Sequence, residues 1–421
     1  MAKTLIQTLR EGTIPNDLID IAGKENISVE ELSKNILSGE IVILGYRTGR
    51  GTIAVGKGVK TKVNANIGAS TLTSSLEEEE KKLDASIKAG ADTMMDLSLA
   101  DNLTEIMKMV LEKSTVPVGT VPIYEAATLA RLKRDAVINL DVEEMFNVLE
   151  RQMSAGVDFV TVHCGVVKSL IDRLESSERI EGIVSRGGAI TAAYIKKTGN
   201  ENPLYEYYDR LLDLAEEYDV VLSLGDGMRP GAVADASDFL EIGEQKILGE
   251  LQKKALYRGV MSMIEGPGHV PIHLVQKSVE RIKKLTHNAP LYLLGPIVTD
   301  IAPGYDHITS AIGAGVAGMS GADFICYVTP SEHLGLPAAE DVHDGVIAAR
   351  IAAHAADIAK GVPGAALWDK ELSKARKALD WEKQIELSID PIKARKIRDE
   401  RSKTGACTMC GEYCVFLVLK D

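Results

Sequence analysis

The sequence predicts an α/β chain built on a (β/α)8 TIM-type barrel, with a short helical segment before it and helices plus a cysteine-bearing tail after it. Two observations carry this. Eight short apolar runs recur, at 62–67, 93–97, 116–122, 159–163, 220–224, 260–264, 291–294 and 324–328, and the stretches between them, such as 75–89 and 142–155, have apolar residues at helical spacing. Continuously apolar strands alternating with amphipathic helices imply parallel pairing with both sheet faces covered, and eight repeats suit a closed barrel. The second observation is that polar residues or glycine stand at or beyond the C-terminal ends of these runs: Asn66, Asp96, Tyr124, His163, Asp226, Glu265, Tyr292 and His333. In a barrel those ends converge on one mouth. In a doubly wound open sheet, the competing architecture, they would spread along an edge, so the barrel explains more.

The expected organisation is a helical or lid segment over 1–55, the barrel over 56–335, C-terminal helices over 336–401 and a tail over 402–421. Ser28-Val-Glu-Glu31 has the spacing of a capping box and should start a helix that ends near Leu37. A short strand over 40–44 and a turn-rich loop over 45–51 follow, and this part reads as a lid or an oligomer contact. After Val328 the chain turns helical: 341–360 is alanine-rich, 371–387 forms a second helix, and Asp390-Pro391 supplies an N-cap and an N1 proline for a third. Residues 402–406 read as a flexible lead into the cysteines.

Composition excludes several classes. Hydrophobic residues make up 45% and charged residues 26%, as in ordinary globular chains, and the formal charge of −13 disfavours a nucleic-acid surface. No apolar run approaches membrane-spanning length, and no signal peptide is recognisable. Five cysteines, three of them clustered, make no disulfide framework and point to a reducing cytoplasm.

The chemistry concentrates in a few motifs. Cys407, Cys410 and Cys414 lie within eight positions, with Gly411 permitting a tight turn between them. Thiolates suit zinc or an iron–sulfur cluster, and no fourth ligand lies nearby to close a structural zinc site. Three cysteines would hold a [4Fe–4S] cluster by three irons and leave one iron open to a small molecule such as S-adenosylmethionine. A zinc knuckle completed from elsewhere, or reduced surface thiols, are the alternatives. Glu265-Gly-Pro-Gly-His269 turns after a strand, and His269 with His333 could hold a divalent metal with positions left open, although a lone histidine is more often simply hydrogen-bonded. Ser185-Arg-Gly-Gly188 and Asp226-Gly-Met-Arg229 pair arginine with glycine, a combination suited to an anion, with a structural salt bridge of Arg229 as the plain reading. Gly313-Ala-Gly-Val-Ala-Gly318 matches a dinucleotide fingerprint formally, but it lies inside a small-residue helix and points to close packing. Cys164 reads as a buried strand-end thiol.

These residues resemble the ThiC family of non-standard radical S-adenosylmethionine enzymes. The likeness covers nearly all of the chain after about Ala54 and is carried by Lys62-Val-Asn-Ala-Asn-Ile-Gly68, Met95-Asp-Leu-Ser98, Gly119-Thr-Val-Pro-Ile-Tyr124, Val184-Ser-Arg-Gly-Gly188, Ser223-Leu-Gly-Asp-Gly-Met-Arg-Pro230, Glu265-Gly-Pro-Gly-His-Val-Pro271, Thr299-Asp-Ile-Ala-Pro-Gly-Tyr-Asp-His-Ile-Thr309 and the cysteine tail. The resemblance implies an enzyme acting on 5-aminoimidazole ribotide through a deoxyadenosyl radical. It implies ribotide contacts from Asn66, Met95, Tyr124, His163, Ser185, Arg186, Gly187, Asp226, Gly227, Met228, Arg229, Glu265 and Tyr292, with Glu265 and Tyr292 also catalytic. It further implies zinc or another divalent metal on His269 and His333, and a [4Fe–4S] cluster on Cys407, Cys410 and Cys414. A homodimer, S-adenosylmethionine and an electron-donor protein complete the set of expected partners.

Two departures bear on the product. The family usually has a Pro-Ala-Asn-type stretch where Ile43-Leu-Gly-Tyr-Arg47 stands, and Thr-Gly-Gly where Leu99-Ala-Asp101 stands. If both loops border the substrate, the branch making 5-hydroxybenzimidazole, with formate, 5′-deoxyadenosine and methionine released, is the first expectation. Phosphomethylpyrimidine synthesis for thiamin is the second, and a non-catalytic iron–sulfur or zinc-binding barrel is the alternative of another class.

Overall fold

The computed structural model describes residues 3–73, 75–401 and 407–419. Ten strands are present among them: β1 (Ile41–Leu44), β2 (Ile53–Gly56), β3 (Lys62–Ile67), β4 (Thr93–Asp96), β5 (Val118–Thr120), β6 (Phe159–Val162), β7 (Val221–Leu224), β8 (Ser262–Gly266), β9 (Leu291–Leu294) and β10 (Phe324–Cys326). β3 to β10 pair in parallel in chain order, and β10 closes on β3, giving the eight-stranded barrel that the apolar repeats predict. Helices such as Leu76–Ala89, Val142–Ser154 and Phe239–Arg258 surround it. The main core lies between strands and helices, where Ala65, Met94, Val160, Leu222, Ile264 and Ile325 meet the apolar faces of those helices. Burial on both faces explains why the strands read as unbroken apolar runs rather than alternating ones.

β1 and β2 form an antiparallel pair outside the barrel. With the helices Leu5–Arg10, Asn16–Glu25 and Val29–Leu37 they close its N-terminal end, sharing a second core with Phe159, Val221, Met261, Met263 and Phe324. Three bonds locate this layer: Thr4 Oγ1 to the Gly259 carbonyl at 2.7 Å, Leu5 N to Asp219 at 3.1 Å, and Ile43 N to Met261 Sδ at 3.4 Å. Asp219, Gly259 and Met261 all precede a barrel strand, so the segment expected to be a lid lies at the end opposite the mouth.

The Gly-rich stretch at 313–318 falls in the helix Asp306–Met319. A Cβ on Gly313 would sit 1.9 Å from the Pro296 carbonyl oxygen, so close packing requires glycine there. Cys164 is fully buried, and burial pushes its thiol up, as expected of an inert core cysteine.

The chain divides into two compact units, residues 1–356 and 357–421. The second contains the helices Ala365–Ala378, Trp381–Glu386 and Pro391–Arg401. Within it Trp368 Nε1 donates to the Leu387 carbonyl at 2.7 Å, and the Arg398 guanidinium lies 3.9 Å from the Trp381 ring centre. The expected lead at 402–406 lies outside the described residues.

Candidate active site

Parallel strands of one barrel end at one face, and the side chains of alternate residues point inward together. In register, Asn66 pairs with Met95 and Glu265 with Tyr292, which sets each pair side by side on neighbouring strands. They line one cavity with Tyr124, His163, Asp226 and Arg229, which are most of the residues expected at the strand ends. Asp96, next to the inward Met95, instead accepts from Ser98 Oγ at 2.6 Å, and His333 lies outside the lining. Gly266, Leu97, Val121, Thr161, Leu294 and Cys326 complete the wall.

The floor is a connected polar network. Asn64 Nδ2 donates to Tyr292 Oη and to Asn66 Oδ1, both at 2.7 Å, and Asn66 Nδ2 lies 3.0 Å from Cys326 Sγ. Tyr292 stacks on Phe324 with ring centres 4.3 Å apart. These contacts hold the Tyr292 hydroxyl in place, and burial raises its pKa well above the usual phenol value. Burial likewise pushes the Cys326 thiol up to about 11, so it stands in the wall as a neutral S–H.

Glu265 accepts from Thr161 Oγ1 at 2.7 Å and Ser223 Oγ at 2.9 Å, both on the same oxygen. Burial raises its pKa, and these bonds pull in the opposite direction. Asp226 accepts from Arg229 Nη1 at 2.9 Å. Burial dominates even so and pushes Asp226 up to about 7, with Arg229 opposing and Glu265 adding to the rise. His163 is buried beside them, and burial together with the Arg229 charge lowers its pKa to about 3, leaving a neutral imidazole. Among the described residues, His163 Nδ1 and Asp226 Oδ2 are buried without a hydrogen-bond partner. Buried polar atoms without partners are uncommon and mark a place for a ligand or water.

Ser185 caps the helix Arg186–Thr198 by accepting from Gly188 N at 3.2 Å. The N-terminus of that helix abuts the mouth because glycines allow it: a Cβ on Gly187 would lie 2.2 Å from His163 Cε1, and one on Gly188 would lie 2.2 Å from the Gly227 carbonyl oxygen. Arg186 lies over the Tyr124 ring, 5.1 Å from its centre. A helix N-terminus with Arg186 and Arg229 nearby is an anion-binding arrangement. Met228 behaves differently from its neighbours, with its side chain fully buried in a cluster containing Val166 and Leu240.

His269 and His333 come together with ring centres 5.4 Å apart. Each Nδ1 faces a carboxylate, His269 that of Asp300 at 2.8 Å and His333 that of Asp306 at 3.0 Å. This orients Nε2 of each ring as the remaining ligand atom, the arrangement in which a carboxylate fixes a metal-binding histidine. Among the described residues no group of three or more His, Cys, Asp or Glu side chains is gathered to hold a metal. Two imidazoles with open positions fit a catalytic rather than a closed structural metal site.

The cysteine tail has a different character. Cys407 is half-buried, Cys410 exposed and Cys414 buried, and all three are free thiols. Gly411 N donates to the Cys407 carbonyl at 2.9 Å, forming the tight turn expected between them, but the three sulfurs are not gathered on one point. The donor set fits a cluster held through three irons: three thiols and one turn, with no fourth ligand gathered there among the described residues.

The sequence pattern of the radical SAM ThiC family matches residues 4–421. This chain belongs to that family. It is a radical S-adenosylmethionine enzyme, which implies S-adenosylmethionine and an iron–sulfur cluster. It is 51% identical over 420 residues to a phosphomethylpyrimidine synthase of Desulforamulus reducens, covering 99% of this chain and 97% of that one. A phosphomethylpyrimidine synthase of Methanocaldococcus jannaschii is 50% identical over 423 residues, covering 99% of each. One from Moorella thermoacetica is 49% identical over 422 residues, covering 99% of this chain and 98% of that one.

These relatives correct the expected product. Identity near one half over full length to proteins bearing that name favours the thiamin reading over 5-hydroxybenzimidazole and cobamide synthesis. The structure supplies the physical reason for the error. The 43–47 stretch does not border the mouth: Arg47 Nη1 donates to the Glu217 carbonyl at 2.8 Å, and a Cβ on Gly45 would lie 3.1 Å from Pro117, both residues on the N-terminal side of a strand. A change there lies away from the cavity lining. Leu99-Ala-Asp101 does follow β4 at the mouth end, with Leu99 N bonded to the Ala69 carbonyl.

Sequence reasoning missed Thr161, Ser223, Asn64 and Cys326 in the mouth, and Asp300 and Asp306 behind the histidines. Thr161 had a signal, lying two residues before His163 and therefore on the same face of β6. Asp300 and Asp306 both lie in the Thr299–Thr309 motif, without a role that sequence alone assigns.

Proposed function

We propose that this protein converts 5-aminoimidazole ribotide to 4-amino-5-hydroxymethyl-2-methylpyrimidine phosphate, the phosphomethylpyrimidine synthase reaction of thiamin biosynthesis. The observation that carries the proposal is the mouth itself, where buried unpartnered His163 Nδ1 and Asp226 Oδ2 stand beside a helix N-terminus and two arginines. A ribotide offers both a phosphate for the cationic side and ring and ribose hydrogen-bonding groups for the neutral side. Arg186, Arg229 and the amides after Ser185 would bind the phosphate. Asn66, Met95, Tyr124, His163 and Asp226 would orient the ribose and the imidazole, and the Gly187, Gly227 and Met228 backbone would shape the wall. Glu265, whose pKa burial raises, would hold or move a proton, with Tyr292 held by Asn64.

His269 and His333 would hold zinc or another divalent ion. Cys407, Cys410 and Cys414 would hold a [4Fe–4S] cluster, which would supply one electron for the reductive cleavage of S-adenosylmethionine into methionine and a deoxyadenosyl radical. An electron-donor protein would recharge the cluster, and a cytoplasmic location suits thiols that must remain reduced. A homodimer is part of the proposal. Its support is an exposed apolar stripe, Tyr305, Ile308, Ile312 and Met319, at helical spacing along Asp306–Met319. Light scattering should give twice the chain mass, and a monomeric mass would contradict the dimer.

The deciding experiment is anaerobic. Protein reconstituted with iron and sulfide is given 5-aminoimidazole ribotide, S-adenosylmethionine and a reductant, and the products are read by mass. The phosphorylated hydroxymethylpyrimidine together with 5′-deoxyadenosine is the expected result. Deoxyadenosine without that pyrimidine, from a verified cluster, would overturn the assignment.

A further inference from the structure

The turn Asp226-Gly-Met-Arg229 carries two charged groups of the mouth, yet its backbone is held by residues outside the cavity. Met228 is gripped from two sides. Its amide donates to Glu244 Oε2 at 2.7 Å, and its carbonyl accepts from Arg179 Nη2 at 2.5 Å. Both partners are buried: Glu244 is 2% exposed on the helix Phe239–Arg258, and the Arg179 side chain is 1% exposed.

Each partner is itself anchored. Arg179 Nε and Nη2 donate to the two oxygens of Asp238, both at 2.7 Å, and Nη1 donates to the Gly182 carbonyl at 2.9 Å. Glu244 reaches the turn through a slot that two glycines leave open. A Cβ on Gly165 would lie 2.6 Å from Glu244 Cγ, and one on Gly227 would lie 3.3 Å from Glu244 Oε1. Burial first and the neighbouring Asp226 carboxylate second hold the Glu244 pKa well above the usual range, against the pull of the backbone bond from Met228. Its Oε1 has no hydrogen-bond partner among the described residues. A carboxyl group in this position is costly to bury, and the bond it makes here is to the Met228 backbone.

We propose that Glu244 and Arg179 are positioning residues: together they clamp the Met228 backbone and thereby set Asp226 and Arg229 for the ribotide. The inference rests on the ribotide reading above. Neither residue touches the cavity, so their effect should appear as affinity for ribotide rather than as loss of a reacting group.

The test is calorimetric titration of the full-length chain with 5-aminoimidazole ribotide. Glu244→Leu strands the Met228 amide and should weaken binding about tenfold. Arg179→Lys keeps the charge but loses the fork, and should weaken it roughly threefold to tenfold. Glu244→Gln retains an acceptor oxygen and should stay within about twofold of wild type. Leu212→Ala, a core substitution on the remote helix Tyr208–Tyr218, should lower the melting temperature while leaving the affinity unchanged. Wild-type affinity in both Glu244→Leu and Arg179→Lys would overturn the clamp, as would an equal loss in Leu212→Ala. If Glu244→Leu does not fold, Arg179→Lys decides alone. If wild type itself does not bind, the ribotide reading fails, and the clamp's role for ribotide fails with it.

Discussion

The barrel mouth and the cysteine tail are built on opposite plans. In the mouth nearly every candidate group is already placed: Glu265 is fixed by Thr161 and Ser223, Tyr292 by Asn64 and Phe324, and His269 and His333 each by a carboxylate. In the tail, three thiols lie on a short turn with one exposed and one buried, and among the described residues they are not gathered on one point. The contrast follows from the chemistry each must support. A site that binds and orients a polar substrate gains from rigid groups set in advance, whereas a cluster assembles its own ligand geometry from iron–sulfur bonds and needs only accessible thiolates.

Substitutions at the mouth should therefore act on binding and proton handling in graded fashion. The largest effect is expected from Glu265→Gln, which keeps the bonds from Thr161 and Ser223 but removes the titrating proton. Its kcat should fall about 10²–10⁴-fold with ribotide affinity little changed, read by product mass and by calorimetry. Loss of affinity with kcat preserved would assign Glu265 to binding alone. Next is Asp300→Asn, which weakens the carboxylate behind His269. Metal affinity should fall about 10–100-fold, measured by metal content after dialysis against a competing chelator. An unchanged content would remove Asp300 from the metal site.

The smallest effect is in stability. The folded-state pKa of His163 is about 3, against an ordinary value of 6.5. Its depressed value favours the fold above pH 6.5, and that contribution is lost as the pH falls from 6.5 toward 3. Wild type should therefore lose ~2 kcal/mol more than His163→Gln between pH 7 and pH 5, measured by chemical denaturation. Parallel pH profiles of the two proteins would show that His163 is not held neutral by burial.

Much of the barrel could be read from sequence because its strands are buried on both faces and stand out as apolar runs with polar ends. Asn66, His163, Asp226 and Glu265 were legible for the same reason: a polar side chain at the end of a buried strand is conspicuous. Thr161 and Ser223 were not, since hydroxyl residues are ordinary within strands. The 43–47 stretch was misplaced because its neighbours, Pro117 and Glu217, are distant in sequence, and only the closed barrel brings them to one end. Glu244 and Arg179 carried no signal at all. Each looks like a surface charge until packing shows it buried against Met228.

The division between a preformed mouth and a tail proposed to hold the cluster is tested most directly by ribotide titration of a Cys407→Ala, Cys410→Ala, Cys414→Ala triple variant beside wild type. The variant should bind 5-aminoimidazole ribotide with an affinity within about twofold of wild type and release no 5′-deoxyadenosine. A cluster-free chain that no longer binds the ribotide would contradict the account.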